Sequence, residues 1–212
     1  MKKIVLVGGG GHAISVVDVI QSVGEYDICG VVDLNQNIGK QIMGHEIIGT
    51  DDSLVDILNT GVKYSAVTIG SVGNTALRKM LYYKLKKIGF TLPNIIDPSA
   101  VVSKNAILGE GIFIGKKVVV NAGCKIGDMS IINTASVIEH GCNIGKFTHI
   151  SSNAVVCGDV TVGNDTHIGA NATVIEGLSI GQGTLIGAGS VVTHDIADHT
   201  IAYGNPCKEV SS

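Results

Sequence analysis

Every sixth residue from Val102 onward is valine, isoleucine or leucine: Val102, Leu108, Ile114, Val120, Ile126, Ile132, Ile138, Ile144, Ile150, Val156, Val162, Ile168, Val174, Ile180, Ile186 and Val192. With roughly three residues in ten of these types in an apolar chain, sixteen in succession arise by chance on the order of once in 10⁸. A period of six fits neither a helix at 3.6 nor an exposed strand at 2. It fits a prism whose every face is one short strand, with the apolar residue pointing inward. Glycine follows the apolar residue in eight of the sixteen hexads. Small or β-branched residues such as Cys124, Ser130, Ser136, Cys142, Thr148, Ala154 and Thr166 stand four places after it, where a tight corner is expected. Three hexads close one 18-residue coil, so the repeat makes about five coils and residues 18 apart stack. Cys124 then lies under Cys142 and His149 under His167.

The chain ahead of the repeat reads differently. Residues 3 to 7 form an apolar run ended by Gly8-Gly9-Gly10-Gly11, and an apolar helical pattern follows at Ile14, Val17 and Ile20. This predicts strand, glycine turn and helix. A run over residues 28 to 32 ends in Asp33, another over 65 to 69 ends at Gly70, and helices are expected over 52 to 58 and 74 to 87. The order β-α-β-α-β-α describes a small parallel sheet with crossover helices. Pro93 and Pro98 punctuate the passage to the repeat. The expected organisation is a Rossmann-like α/β domain over residues 1–95 and an all-β parallel helix over 96–212.

Composition narrows the partners. A net charge of -3 provides no basic field for a nucleic acid backbone or an anionic membrane. No stretch reaches the roughly 18 apolar residues of a membrane span. The Met1-Lys2-Lys3 start is not that of a signal peptide, because four glycines, His12 and Asp18 interrupt the apolar run too soon. A cytoplasmic protein is expected. The five cysteines are odd in number and contain no Cys-x-x-Cys pair, which points to buried small hydrophobes rather than a disulfide framework or a zinc site.

Gly8-Gly9-Gly10-Gly11-His12-Ala13 matches the dinucleotide pattern G-x-G-x-x-G/A, with Asp33 twenty residues after Ala13. Backbone amides of such a turn approach a pyrophosphate at a helix N-terminus, and an acid at the end of the second strand can hold ribose hydroxyls. Those mechanics serve any nucleotide diphosphate. About 95 residues supply only half of the paired mononucleotide folds a dinucleotide enzyme uses. A nucleotide-linked substrate therefore fits better than NAD, and a purely structural glycine turn is the remaining alternative.

A Gly-Gly-His-bearing α/β unit fused to a hexapeptide prism resembles the NeuD/PglD-type sugar acyltransferases, nearly end to end. Residues 100 to 206 are similar to the left-handed parallel β-helix of the hexapeptide-repeat transferases. The most specific segment runs Ile132-Asn133-Thr134-Ala135-Ser136-Val137-Ile138-Glu139-His140, followed by Phe147-Thr148-His149. The resemblance implies acetyl-CoA as co-substrate, no metal, and an acceptor that is an amino sugar on a UDP carrier or a sialic acid. It implies a homotrimer with the CoA slot between neighbouring prisms. It also implies His140 as general base, His149 at the acetyl-CoA end, and Ala170 and Ala188 where CoA lies along the prism. Gly10, Gly11, His12, Asp33 and Gly70 match sugar-nucleotide contacts. Gly204-Asn205-Pro206 resembles the closing motif after the last coil, and Lys208 just beyond it is either a CoA-phosphate contact or a free surface lysine.

The chemistry asks for such a base in its own right. A sugar amine or hydroxyl must lose a proton as it attacks a thioester, and histidine titrates closest to neutral pH. His140 takes the third place of its hexad, neither the inward position nor the small one. The family often places a carboxylate directly after this histidine; here Gly141 stands there. Glu139 or Asn133 is left to support the ring, although adjacent strand residues point to opposite faces. The oxyanion calls for a backbone N–H donor. N-acetylation of a UDP-4-amino-dideoxy sugar of the bacillosamine type is the favoured reading, because the glycine turn and Asp33 suit a nucleotide handle. Sialic acid O-acetylation is the alternative within the class. A zinc enzyme of the γ-carbonic-anhydrase kind and a non-catalytic sugar-nucleotide-binding scaffold are the alternatives outside it.

Overall fold

The computed structural model describes residues 1–210. They form two compact units, Met1–Ser71 with Ala76–Ile95, and Val72–Thr75 with the chain from Ile96 onward.

In the first unit the chain runs through Lys2–Val7 (β1), Gly11–Val23 (α1), Tyr26–Val32 (β2), Gln41–Ile42 (β3), His45–Gly49 (β4), Leu54–Asn59 (α2), Tyr64–Val67 (β5) and Ala76–Ile88 (α3). The sheet order is β3-β4-β2-β1-β5, parallel except for the β3–β4 hairpin. From β1 the chain moves outward to β2 and later returns to the other side of β1 as β5. The carboxyl ends of β1, β2 and β5 therefore converge at a topological switch point, the usual place for a ligand on an open parallel sheet. Two expectations need correction. The hairpin was not anticipated, because its turn is Met43-Gly44, both at positive φ (46° and 85°), without the Asn-Gly or Asp-Gly pair that announces such turns. Ile14 is 52% exposed; α1 buries Ala13, Val16, Val17, Val19 and Ile20 instead.

The second unit is the prism. Two-residue strands recur every six residues from Ile95–Ile96 to Val191–Val192, and each pairs in parallel with strands 18 residues away, as in Ile131↔His149 and His149↔His167. The repeat thus begins one hexad before Val102. The inward residues from Ile114 to Val192 are all exposed by 2% or less. The corner divides its work between two positions. Three places after each inward residue, from Gly111 to Gly189 without a break, the backbone is left-handed. Four places after, the small residue is buried and often satisfies a carbonyl of the next coil: Thr148 Oγ1 donates to Gly163 O (2.9 Å), Thr166 Oγ1 to Gly181 O (2.6 Å) and Cys142 Sγ to Cys157 O (3.0 Å).

Gly109, Gly127, Gly145, Gly163 and Gly181 form one column of stacked positions, and none has a positive φ. Glycine is needed there because a Cβ would enter the backbone of the next coil: at Gly145 it would stand 2.5 Å from Asn164 N and 2.7 Å from Gly163 C. The last coil is shorter, since Ile196 bridges to Ile180 and Ala202 pairs with Ile186, 16 residues apart. Ile201–Tyr203 then turns through Gly204-Asn205-Pro206 into the antiparallel strand Lys208–Val210, and buried Cys207 closes the core.

No helix among the described residues is long and apolar enough to cross a membrane. All five cysteines are free, and burial raises every thiol, that of Cys142 to about 12. Only the thiolate attacks a disulfide reagent. At pH 8 the folded protein is expected to label at Cys142 orders of magnitude more slowly than after denaturation, when all five react. Rapid modification of native Cys142, mapped by mass spectrometry, would contradict this.

Candidate active site

The turn between β1 and α1 lines a cavity of about 340 Å³ together with Asp33, Asn37, Ile69 and Gly70. Gly10, Gly11, His12, Asp33 and Gly70, singled out in the sequence, all face this one space. Asp33 acts first as a clamp. Its Oδ2 accepts the Gly9 N–H and its Oδ1 the Leu34 N–H, both at 2.6 Å, which ties the glycine turn to the end of β2. Gly8 is required by its own geometry, with φ +110° and the Ile69 side chain where a Cβ would go. Gly10 and Gly11 have no such internal reason. Neither has a positive φ, and nothing lies within 4 Å of a Cβ built on either. They leave open space at the N-terminus of a 13-residue helix whose first N–H groups carry no side-chain cap.

Arg78 was missed. In a helix with Lys79, Lys86 and Lys87 it reads as a surface cation, yet it is buried, and its Nη1 donates to Val67 O (3.0 Å) and Ile69 O (2.8 Å). Desolvation lowers its pKa to about 10. It holds the backbone that leads into Gly70. A second cavity of about 350 Å³ opens beside the first, walled by Val32, Leu34, Leu77, Met80 and Leu81 and also lined by Asp33, Asp51 and Asp52.

The prism residues fall into two groups. His140 stands at the corner between strands Val137–Ile138 and Asn143–Ile144, exposed, and no hydrogen bond holds its ring among the described residues. The ring lies against Gly158, one coil on, and the His140 carbonyl accepts the Asp159 N–H at 2.9 Å. Gly141 is the left-handed residue of this corner, at φ +72°, and the Asp159 carboxylate fills the place its side chain would take. That is the structural reason for glycine after the histidine. Glu139 and Asn133 turn elsewhere. Glu139 Oε2 accepts from the Asn121 amide at 2.8 Å, and Asn133 Nδ2 lies 3.3 Å from His149 Nε2. If the amide nitrogen donates, the His149 proton sits on Nδ1.

The second group spans the preceding corner (Asn133, Ala170, Ala188) and the strand column that leads into it (His149, His167). His149 is buried edge-to-face on His167, centroids 4.8 Å apart, with Asn133 beside it. Ala170 and Ala188 occupy successive coils of that corner, linked by Gly189 N–H to Ala170 O at 2.8 Å. Between the two corners runs one prism face whose outward column is Val101, Val119, Val137, Val155, Thr173 and Val191. Within one chain, then, His140 is not brought together with His149, Ala170 and Ala188.

Residues 3–85 match the model of the PglD N-terminal domain, and residues 159–194 that of the bacterial transferase hexapeptide in six repeats. PerB from Caulobacter crescentus, solved in complex with CoA and GDP-perosamine, is 36% identical over 100% of this chain and 98% of its own, with a TM-score of 0.93. This chain is a PglD-family sugar acetyltransferase. The acetyltransferase domain of PglB from Neisseria gonorrhoeae FA1090 is 32% identical over 99% of this chain and 100% of its own, TM-score 0.92. Its complex with acetyl coenzyme A gives 33% identity, 99% coverage of each chain and a TM-score of 0.89. The prism of the PglD family is the left-handed parallel β-helix, and the family accounts for the N-terminal α/β unit that a zinc-enzyme reading leaves unexplained.

Proposed function

We propose that this PglD-family enzyme moves the acetyl group of acetyl-CoA onto the amine of a nucleotide-linked amino sugar, with His140 as general base. The observation that carries the reading is the exposed His140 imidazole, seated on the next coil and hydrogen-bonded to no side chain among the described residues. The free amine attacks the thioester carbonyl and forms the C–N bond, while His140 takes the amine proton and returns one to the departing CoA sulfur. A backbone N–H holds the oxyanion. The open face at Gly10 and Gly11 suits the diphosphate, and the apolar cavity beside Asp33 suits a flat base. PerB was solved with an amino-sugar nucleotide and CoA, which supports the same pairing here. The carrier is UDP in our reading.

We further infer a homotrimer in which the valine face meets a neighbouring prism. His140 and the group of His149, Asn133, Ala170 and Ala188 flank that face on opposite edges, so prism-to-prism packing would set one chain's base beside another's CoA edge. A fully active monomer in light scattering would refute it. The five free thiols fit a reducing, cytoplasmic setting.

The test is release of free CoA thiol from acetyl-CoA with a UDP-4-amino sugar, a GDP-4-amino sugar or a sialic acid as acceptor. Turnover with a nucleotide-linked amine is expected. Turnover only with sialic acid would move the enzyme to O-acetylation, and no turnover with any acceptor would favour a binding scaffold. Gly10→Ala is expected to raise KM for the sugar nucleotide about tenfold or more, a loss of roughly 1.4 kcal/mol of binding, with the melting temperature unchanged. An unaltered KM would remove the glycine face from the binding site.

A further inference from the structure

His140 is one of a column of residues spaced by 18: Ala122, His140, Gly158, Glu176 and His194. Four of the five carry side chains, so the position does not by itself demand glycine. Gly158 has no positive φ, and it differs from the stacked glycines of the prism in what a Cβ would strike. At Gly145 the obstacle is the backbone of the next coil; at Gly158 all three nearest atoms belong to the His140 ring, at 2.6 Å (Cε1), 2.8 Å (Nε2) and 3.2 Å (Nδ1). The ring needs that empty place to lie down on the following coil.

We propose that Gly158 is a positioning residue for acetyl transfer: by lacking a side chain it gives the imidazole of His140 a seat on the next coil and fixes where Nε2 is presented. The inference rests on His140 being the base. With Gly141 in the left-handed corner, and with Glu139 and Asn133 hydrogen-bonded elsewhere, no side chain among the described residues holds the ring by a hydrogen bond, and contact with the Gly158 backbone steers it instead. An alanine methyl would push the ring out by about 1 Å to reach ordinary contact. Displacements of that size cost on the order of 10²-fold in rate. Because His140 is exposed in the single chain and lies outside the prism core, a displaced ring leaves the fold intact.

The experiment is a double-mutant cycle of Gly158→Ala and His140→Ala, read by thiol release and thermal melting on the full chain. Gly158→Ala alone is expected to lower kcat about ten- to a hundredfold, with both KM values within about twofold and the melting temperature within a few degrees. In the His140→Ala background the same substitution is expected to change the residual rate by less than twofold. A wild-type kcat in Gly158→Ala overturns the proposal. So does an equal loss in both backgrounds, which would make the effect structural. Full activity of His140→Ala would instead overturn the reading of His140 as base, a different failure seen in a different variant.

Discussion

His140→Ala is expected to lower kcat for acetyl transfer about a hundred- to ten-thousand-fold, the usual contribution of a placed general base. KM for acetyl-CoA and for the sugar nucleotide should stay near the wild-type values. The imidazole takes up a proton as the C–N bond forms, so its loss is felt in the transition state and little in the ground state. Stability should hardly change, because the ring is exposed and no hydrogen bond among the described residues depends on it. His140→Asn should fall as far, since a carboxamide has hydrogen-bonding capacity but no useful basicity. Steady-state thiol release settles the matter. A kcat within twofold of wild type in either variant would take the role away from His140.

The largest effect on stability is expected from the glycine column. Gly145→Ala adds a single methyl, yet that methyl meets backbone atoms at 2.5 Å and 2.7 Å, and backbone paired on both sides cannot yield as a side-chain tip can. Overpacking costs up to about 3 kcal/mol and occasionally more. For a chain of this length, 3 kcal/mol lowers the melting temperature by about 6–12 °C. Gly10→Ala serves as the internal control, with the same chemistry and open space around the new methyl. Calorimetry showing equal melting temperatures for the two variants would mean that neighbouring coils separate more easily than their hydrogen bonding implies.

The prism was legible because burial dictates its inward residue hexad by hexad. Its corners were legible only in part: Lys117, Met129, Ala135 and Phe147 adopt the left-handed conformation without belonging to the residue types that favour it. The shortened last coil escaped too, because Ile196 and Ala202 break the period by two. In the first unit the glycine turn announced itself, whereas Met43-Gly44 did not. The cavity at the glycine turn was visible as a motif. The placement of Arg78 and the space above Gly158 depend on neighbours far along the chain, and no local pattern carries that information.

The 18-residue coil also sets rules for insertion and deletion in this protein. Removing 18 residues from the middle of the stack leaves every later side chain on the face and edge it had before. Removing six preserves the alternation of inward and outward residues equally well, but it rotates everything downstream by a third of a turn. Ala170 and Ala188 would then sit on a different edge from the one they share with Asn133, in a chain that still folds. Whole-coil changes in length therefore keep each remaining residue on its face, while hexad-sized changes move every downstream residue to another face.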